Sequence, residues 1–126
     1  MDTETTPAGE IENWTPEETA AALSEGRIVL IDVRTPQEFA LERIEGALLM
    51  PMQGFDPANL PEEGEKRIVL HCGSGIRSKK VGEQILDAGA DRIAHVAGGI
   101  GAWKNAGLEY IATDPATGGP VRKTAG

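Results

Sequence analysis

The order of apolar and polar positions divides the chain into alternating strand and helix patterns. Ile28-Val29-Leu30-Ile31 is an unbroken aliphatic run of the kind found in strands buried on both faces. Ile68-Val69-Leu70-His71 repeats it, and Ile93 to Val96 predicts a further strand. Ala47 to Met50, between the turn residue Gly46 and Pro51, predicts a short one. Helix starts lie between these runs. Thr15-Pro16-Glu17-Glu18 supplies an N-cap, a proline at the first helical position and a capping glutamate, which predicts a helix through about Ser24 that Gly26 ends. Thr35-Pro36-Gln37-Glu38 repeats the same chemistry. Ser78 to Ala88 places Val81, Ile85 and Leu86 on one face and stops at Gly89. Ile100 to Asn105 predicts a helix between Gly98-Gly99 and Gly107, and Asp56 to Leu60 a single helical turn.

Buried strands separated by helices predict an α/β fold with a central, mostly parallel sheet of about five strands, flanked by helices on both faces. Ligands of such folds bind beyond the carboxyl ends of the strands. Cys72 and Asp32-Val33-Arg34 both follow strands directly, so both are expected on that rim. Residues 1–10 are polar, with Pro7 and Gly9, and read as a flexible leader. Residues 11–112 form the domain. Residues 113–126 are rich in Gly, Pro and Thr and read as a mobile tail.

Composition narrows the class. A chain of 126 residues that is 40% hydrophobic fits one domain with a sizeable core. The formal net charge of -8 argues against nucleic acid or an anionic membrane as partner, because both reward clustered Lys and Arg. No apolar stretch is long enough to cross a bilayer, and Met1 to Thr6 lacks the basic and apolar segments of a secretory signal. A cytoplasmic protein is the expectation. The single cysteine rules out an internal disulfide and suits a reducing compartment.

That cysteine sits where chemistry is expected. His71-Cys72-Gly73-Ser74-Gly75-Ile76-Arg77-Ser78 puts the thiol between a strand and a helix start, whose unpaired N–H groups and dipole favour an anion. Gly73 and Gly75 let successive N–H groups turn inward as a nest, and the thiolate is what such a nest stabilises. Arg77 adds a fixed positive fork. His71 and His95 show no zinc-ligand spacing with the one cysteine and read as structural residues of strands. Trp103 and Trp14 read as packing residues.

The ordered blocks Ile31-Asp32-Val33-Arg34-Thr35-Pro36-Gln37-Glu38-Phe39, Ile44-Glu45-Gly46-Ala47, Cys72 to Ser78 and Gly98-Gly99-Ile100-Gly101-Ala102-Trp103 resemble the signature of single-domain rhodaneses. The resemblance runs from about Trp14 to Leu108. It implies the rhodanese-like three-layer α/β fold and a sulfurtransferase that passes sulfane sulfur through a cysteine persulfide. Carried over by position, Cys72 is the nucleophile, and Gly73, Ser74, Gly75, Ile76 and Arg77 form the substrate-binding loop. Asp32 and Arg34 become a scaffold beside the site, with Glu38 as a partner for Arg34. The chain departs from the family where Glu42-Arg43-Ile44-Glu45-Gly46-Ala47 replaces a Gly-His-Ile-Pro-Gly-Ala turn. No metal or organic cofactor is implied. The implied partners are a small-molecule sulfur donor, thiosulfate or a persulfide, and a thiol, cyanide or protein acceptor.

Two other functions use the same residues. A sulfur carrier or binding module keeps the fold without turnover. A cysteine-loop phosphatase also surrounds an anion with a thiolate and an arginine, but spaces them Cys-x5-Arg, whereas Cys72 and Arg77 are spaced Cys-x4-Arg.

Overall fold

The aliphatic runs pair with one another through the middle of the molecule. In the computed structural model, which describes residues 1–124, the elements in chain order are β1 (Asp2–Thr6), β2 (Gly9–Trp14), α1 (Pro16–Ser24), β3 (Ile28–Asp32), α2 (Pro36–Leu41), β4 (Glu42–Arg43) and β5 (Leu48–Leu49). A 3-10 turn (Pro57–Asn59) follows, then β6 (Arg67–His71), α3 (Ile76–Asp87), β7 (Arg92–Val96), α4 (Gly99–Asn105), β8 (Tyr110–Thr113) and β9 (Pro120–Lys123). The central sheet has six strands in the order β1-β2-β7-β6-β3-β5. Every pairing in it is parallel except β1 with β2. The sheet is therefore mixed and one strand wider than the sequence implies.

Side chains alternate across this sheet into two cores. Leu30, Val69, Ala94 and Val96 join Ala22 of α1 and Ile100 and Trp103 of α4 on one face. Ile11, Ile31, Leu70 and Ile93 join Val81, Ile85 and Leu86 of α3 on the other. Strands covered on both sides need apolar residues at successive positions, which is why their runs are unbroken. Among the described residues, no helix is long and apolar enough to cross a membrane.

Both ends of the chain depart from the loose segments expected of them. In the leader, Asp2–Thr6 folds back on β2 as an antiparallel hairpin. Its turn is closed by Thr6, whose hydroxyl donates to the Gly9 carbonyl and accepts the N–H groups of Ala8 and Gly9. The polarity of β1 reflects an exposed edge strand and not disorder. In the tail, Pro120–Lys123 pairs with β8, and β4, β8 and β9 form a second, antiparallel sheet. Ala125 and Gly126 lie outside the described residues. The segment that departs from the family turn contributes β4 to this sheet, and Glu45 beside it pairs with Arg122 of β9.

Candidate active site

Four helices begin in two different ways. Thr15 and Thr35 cap α1 and α2 in full capping boxes with Glu18 and Glu38. Gly75 and Gly98 precede α3 and α4 in the left-handed conformation, and neither helix receives a side-chain cap. The first N–H groups of α3 and α4 are thus left for the cysteine loop to satisfy, and both helices start at the carboxyl ends of the central strands.

Cys72 occupies the gap. Its Sγ accepts the Gly75 N–H at 3.0 Å and lies 3.6 Å from Ser78 Oγ, so the sulfur sits against the first turn of α3. The N-terminus of α4 grips the same loop from the other side: Ile100 N donates to the Cys72 carbonyl at 2.8 Å and Gly101 N to the Gly73 carbonyl at 3.1 Å. Gly99, at φ 60°, makes this approach feasible. A Cβ there would lie on the Cys72 carbonyl oxygen and 2.7 Å from the Gly73 carbonyl.

The electrostatics favour the anion. Burial pushes the Cys72 thiol up, but the Ser78 hydroxyl and the backbone N–H groups of Ser78, Gly75 and Ser74 together outweigh it, and the net displacement is downward. Cys72 is also completely covered, with 0% of its surface exposed. Ser74 and Ile76 form the exposed rim above it. A cavity of about 400 Å³ bordered by Arg34, Thr35, Pro36, Met52, Gln53 and Arg77 reaches the loop at Arg77 and does not include Cys72.

The arginines are partnered differently from the sequence expectation. Glu38 pairs with Arg77, not with Arg34, through a two-pronged contact at 2.7 and 2.9 Å. The Arg77 guanidinium holds the Glu38 carboxyl at about 2, against an ordinary value of 4.5. Glu38 is within reach because its capping contact with Thr35 already aims it at the rim. Arg34 instead turns back on Asp32 two residues away, at 2.8 Å, and donates to the Glu42 carbonyl. That pair is buried, which makes it a scaffold between β3 and β4. His71 is fully buried beside Asp32 at 3.5 Å, and burial lowers its affinity for a proton.

Ser78, Glu38 and His95 complete the surroundings of the loop, and none of the three is among the loop residues expected from sequence. Ser78 could have been found from its place on the first turn of α3, where its side chain returns toward the loop. His95 Nδ1 lies 2.8 Å from Ser78 Oγ, a contact between β7 and α3 that no local spacing encodes. Among the described residues, no three of His, Cys, Asp and Glu converge to hold a metal ion.

The fold has relatives among known proteins. The family model of the rhodanese-like domain matches residues 15–106. An uncharacterised protein of Synechocystis sp. is 41% identical over 86 residues, which is 68% of this chain and 48% of that protein, so the match spans about half the length of that relative. A sulfurtransferase of Allochromatium vinosum is 35% identical over 88 residues, 69% of this chain and 81% of the relative. Among solved structures, a rhodanese-like domain protein of Staphylococcus aureus superposes with a TM-score of 0.63 at 34% identity, covering 73% of this chain and 90% of that one. A Rhodopseudomonas palustris protein described as a possible tyrosine phosphatase superposes with a TM-score of 0.66 at 28% identity, covering 78% and 83%. By its matched length and its fold, the chain belongs to the rhodanese-like domain family.

Proposed function

We propose that this protein is a sulfurtransferase that moves sulfane sulfur from thiosulfate or a persulfide to a thiol or cyanide acceptor through a persulfide on Cys72. The observation that carries the reading is the sulfur at the open N-terminus of α3, accepting an N–H at 3.0 Å inside a loop closed five residues later by Arg77. The thiolate attacks the outer sulfur of the donor. The donor S–S bond breaks, its electron pair leaves with sulfite or with a thiolate, and Cys72 keeps the sulfur as a persulfide anion. An acceptor then attacks that outer sulfur and returns Cys72 as thiolate. The loop N–H groups hold negative charge in both halves, so ping-pong kinetics are expected.

Because Cys72 is covered, loading requires the Gly73–Gly75 stretch to move, and its two glycines supply that freedom. The rim also selects the donor. Ile76 is 66% exposed, and Arg77 is already engaged by Glu38. The apolar rim and the engaged arginine favour a thiol-borne persulfide over thiosulfate at the loop, and turnover with glutathione persulfide should exceed that with thiosulfate.

The complete burial of Cys72 is also what favours a second reading, a binding module without turnover. The relative described as a possible phosphatase supports a third, against which stand the Cys-x4-Arg spacing and the Arg77 fork turned to Glu38. Incubation with thiosulfate or a persulfide, then intact mass measurement, separates them. Gain of one sulfur by the native chain and none by Cys72→Ser supports transfer. An unchanged mass with either donor supports the module, and Cys72-dependent hydrolysis of aryl phosphates the phosphatase.

A further inference from the structure

The cradle of Cys72 continues into the protein as a row of polar groups. Ser78 Oγ lies 3.6 Å from the sulfur and 2.8 Å from His95 Nδ1, and His95 Nε2 lies 2.7 Å from Asn13 Oδ1. α3 supplies Ser78, β7 supplies His95 and β2 supplies Asn13, the last two directly opposite in the parallel register. Ser78 is fully buried and His95 is 5% exposed, so these groups must satisfy one another.

The donor and acceptor roles follow from what each group can do. Lys79 holds Glu4 as a carboxylate at 2.8 Å, and the Asn13 amide also engages it. A carboxylate only accepts, so the Asn13 N–H groups face Glu4 and its carbonyl faces His95. The ring therefore carries its hydrogen on Nε2, and Nδ1 of the neutral imidazole accepts. Ser78 donates to Nδ1, which leaves its oxygen to accept the Cys72 S–H. The competing acceptor for Ser78, the Gly75 carbonyl, is farther away at 3.2 Å.

We infer that His95 accepts the proton of Cys72 through the Ser78 hydroxyl and is positioned for this by Asn13. The thiol proton passes to Ser78 Oγ as the hydrogen already on Ser78 passes to His95 Nδ1. The S–H bonding pair stays on sulfur, the ring gains one proton, and the net charge of the site is unchanged. In the resulting state the imidazolium donates to Ser78 and to Asn13, while Ser78 donates to the thiolate beside the Gly75 N–H. Every member is partnered before and after, as a relay requires. Around His95, burial opposes the imidazolium most strongly, Glu4 from β1 favours it, and Lys79 from α3 opposes it. Its register neighbour on β6 is the apolar Leu70. The thiolate is then the added negative charge that retains the proton on the ring.

The inference rests on the proposed role of Cys72 as a thiolate nucleophile, but it is read from ionisation and not from turnover. With a single cysteine in the chain, the ultraviolet absorbance of the thiolate reports Cys72 alone, with Cys72→Ser as the blank. The titration midpoint should rise by about one pH unit in His95→Gln and in Ser78→Ala, with no further rise when the two are combined. Asn13→Ala should produce a smaller rise. Nitrogen NMR of the unmutated protein gives a readout independent of any variant's folding. A transfer within the site leaves its number of bound protons unchanged, so at the pH where the thiolate first appears the ring should carry hydrogen on both Nε2 and Nδ1, and Cys72→Ser should lower the pH at which Nδ1 loses its proton. Unchanged midpoints in the folded variants, hydrogen on Nδ1 of the neutral ring, or a ring already neutral at the pH where the thiolate first appears would each overturn the relay. Sulfur loading with unchanged midpoints removes the relay and leaves the transferase. Shifted midpoints without loading by any donor do the reverse.

Discussion

At the scale of single residues, the site depends on which acid meets which base. Glu38 is shared between two tasks, capping α2 through Thr35 and clasping Arg77 above the loop. Its folded value of about 2 lies below its ordinary 4.5, so the stabilisation it brings is fully present above about pH 4.5 and is lost as pH falls toward 2. Glu38→Gln should therefore cost most stability above about pH 4.5 and flatten the acid limb, with the two proteins converging as pH falls toward 2, as thermal melts against pH would show. An acid limb identical to the native one would mean that the pair contributes nothing. Asp32 and Arg34 behave differently because both are buried. Removing Asp32 would strand the guanidinium, whereas the half-exposed Glu38 and Arg77 leave each other in contact with water.

At the scale of elements, the helix starts separate folding from function. Thr15→Ala removes a cap remote from the loop and should cost about 1 kcal/mol in urea denaturation, with sulfur loading of Cys72 unchanged. Gly99→Ala places a Cβ on the Cys72 and Gly73 carbonyls. It should cost on the order of 3 kcal/mol and slow loading as well, because α4 can no longer hold the loop. Equal effects from the two substitutions would contradict the role given to α4.

These same elements show what a sequence can reveal. β3, β6 and β7 were legible because strands buried on both faces must be apolar at every position, and α1 and α2 because their caps are local chemistry. The cysteine loop was legible for the same local reason. β1 and β9 were not, since an exposed edge strand carries polar residues that also suit a loose end. Nor was the Glu38–Arg77 pair, which joins residues 39 apart in sequence, or the contact between His95 and Ser78, which exists only once β7 lies beside α3.

At the scale of the whole molecule, the two ends of the chain act as clamps on opposite parts of the sheet system. The β1-β2 hairpin extends the central sheet and is tied to α3 through Glu4 and Lys79. The β8-β9 hairpin extends the second sheet and is tied to Glu45 through Arg122. Neither β8 nor β9 contributes a side chain to the Cys72 cradle. Removing residues 114–126 should lower the melting temperature by roughly 3–5 °C, as expected for a loss of about 1 kcal/mol in a domain of this size. The fraction of Cys72 that accepts sulfur should stay the same. Loss of loading together with melting would show that the second sheet supports the loop.

The central claim is that one buried thiol, whose anion the main-chain N–H groups stabilise, takes up a single sulfur atom. Intact mass spectrometry after exposure to thiosulfate and, separately, to glutathione persulfide tests it most directly. The native chain should gain the mass of one sulfur, Cys72→Ser should gain none, and addition of a thiol or cyanide should restore the starting mass. A native chain whose mass stays unchanged with both donors would contradict the account.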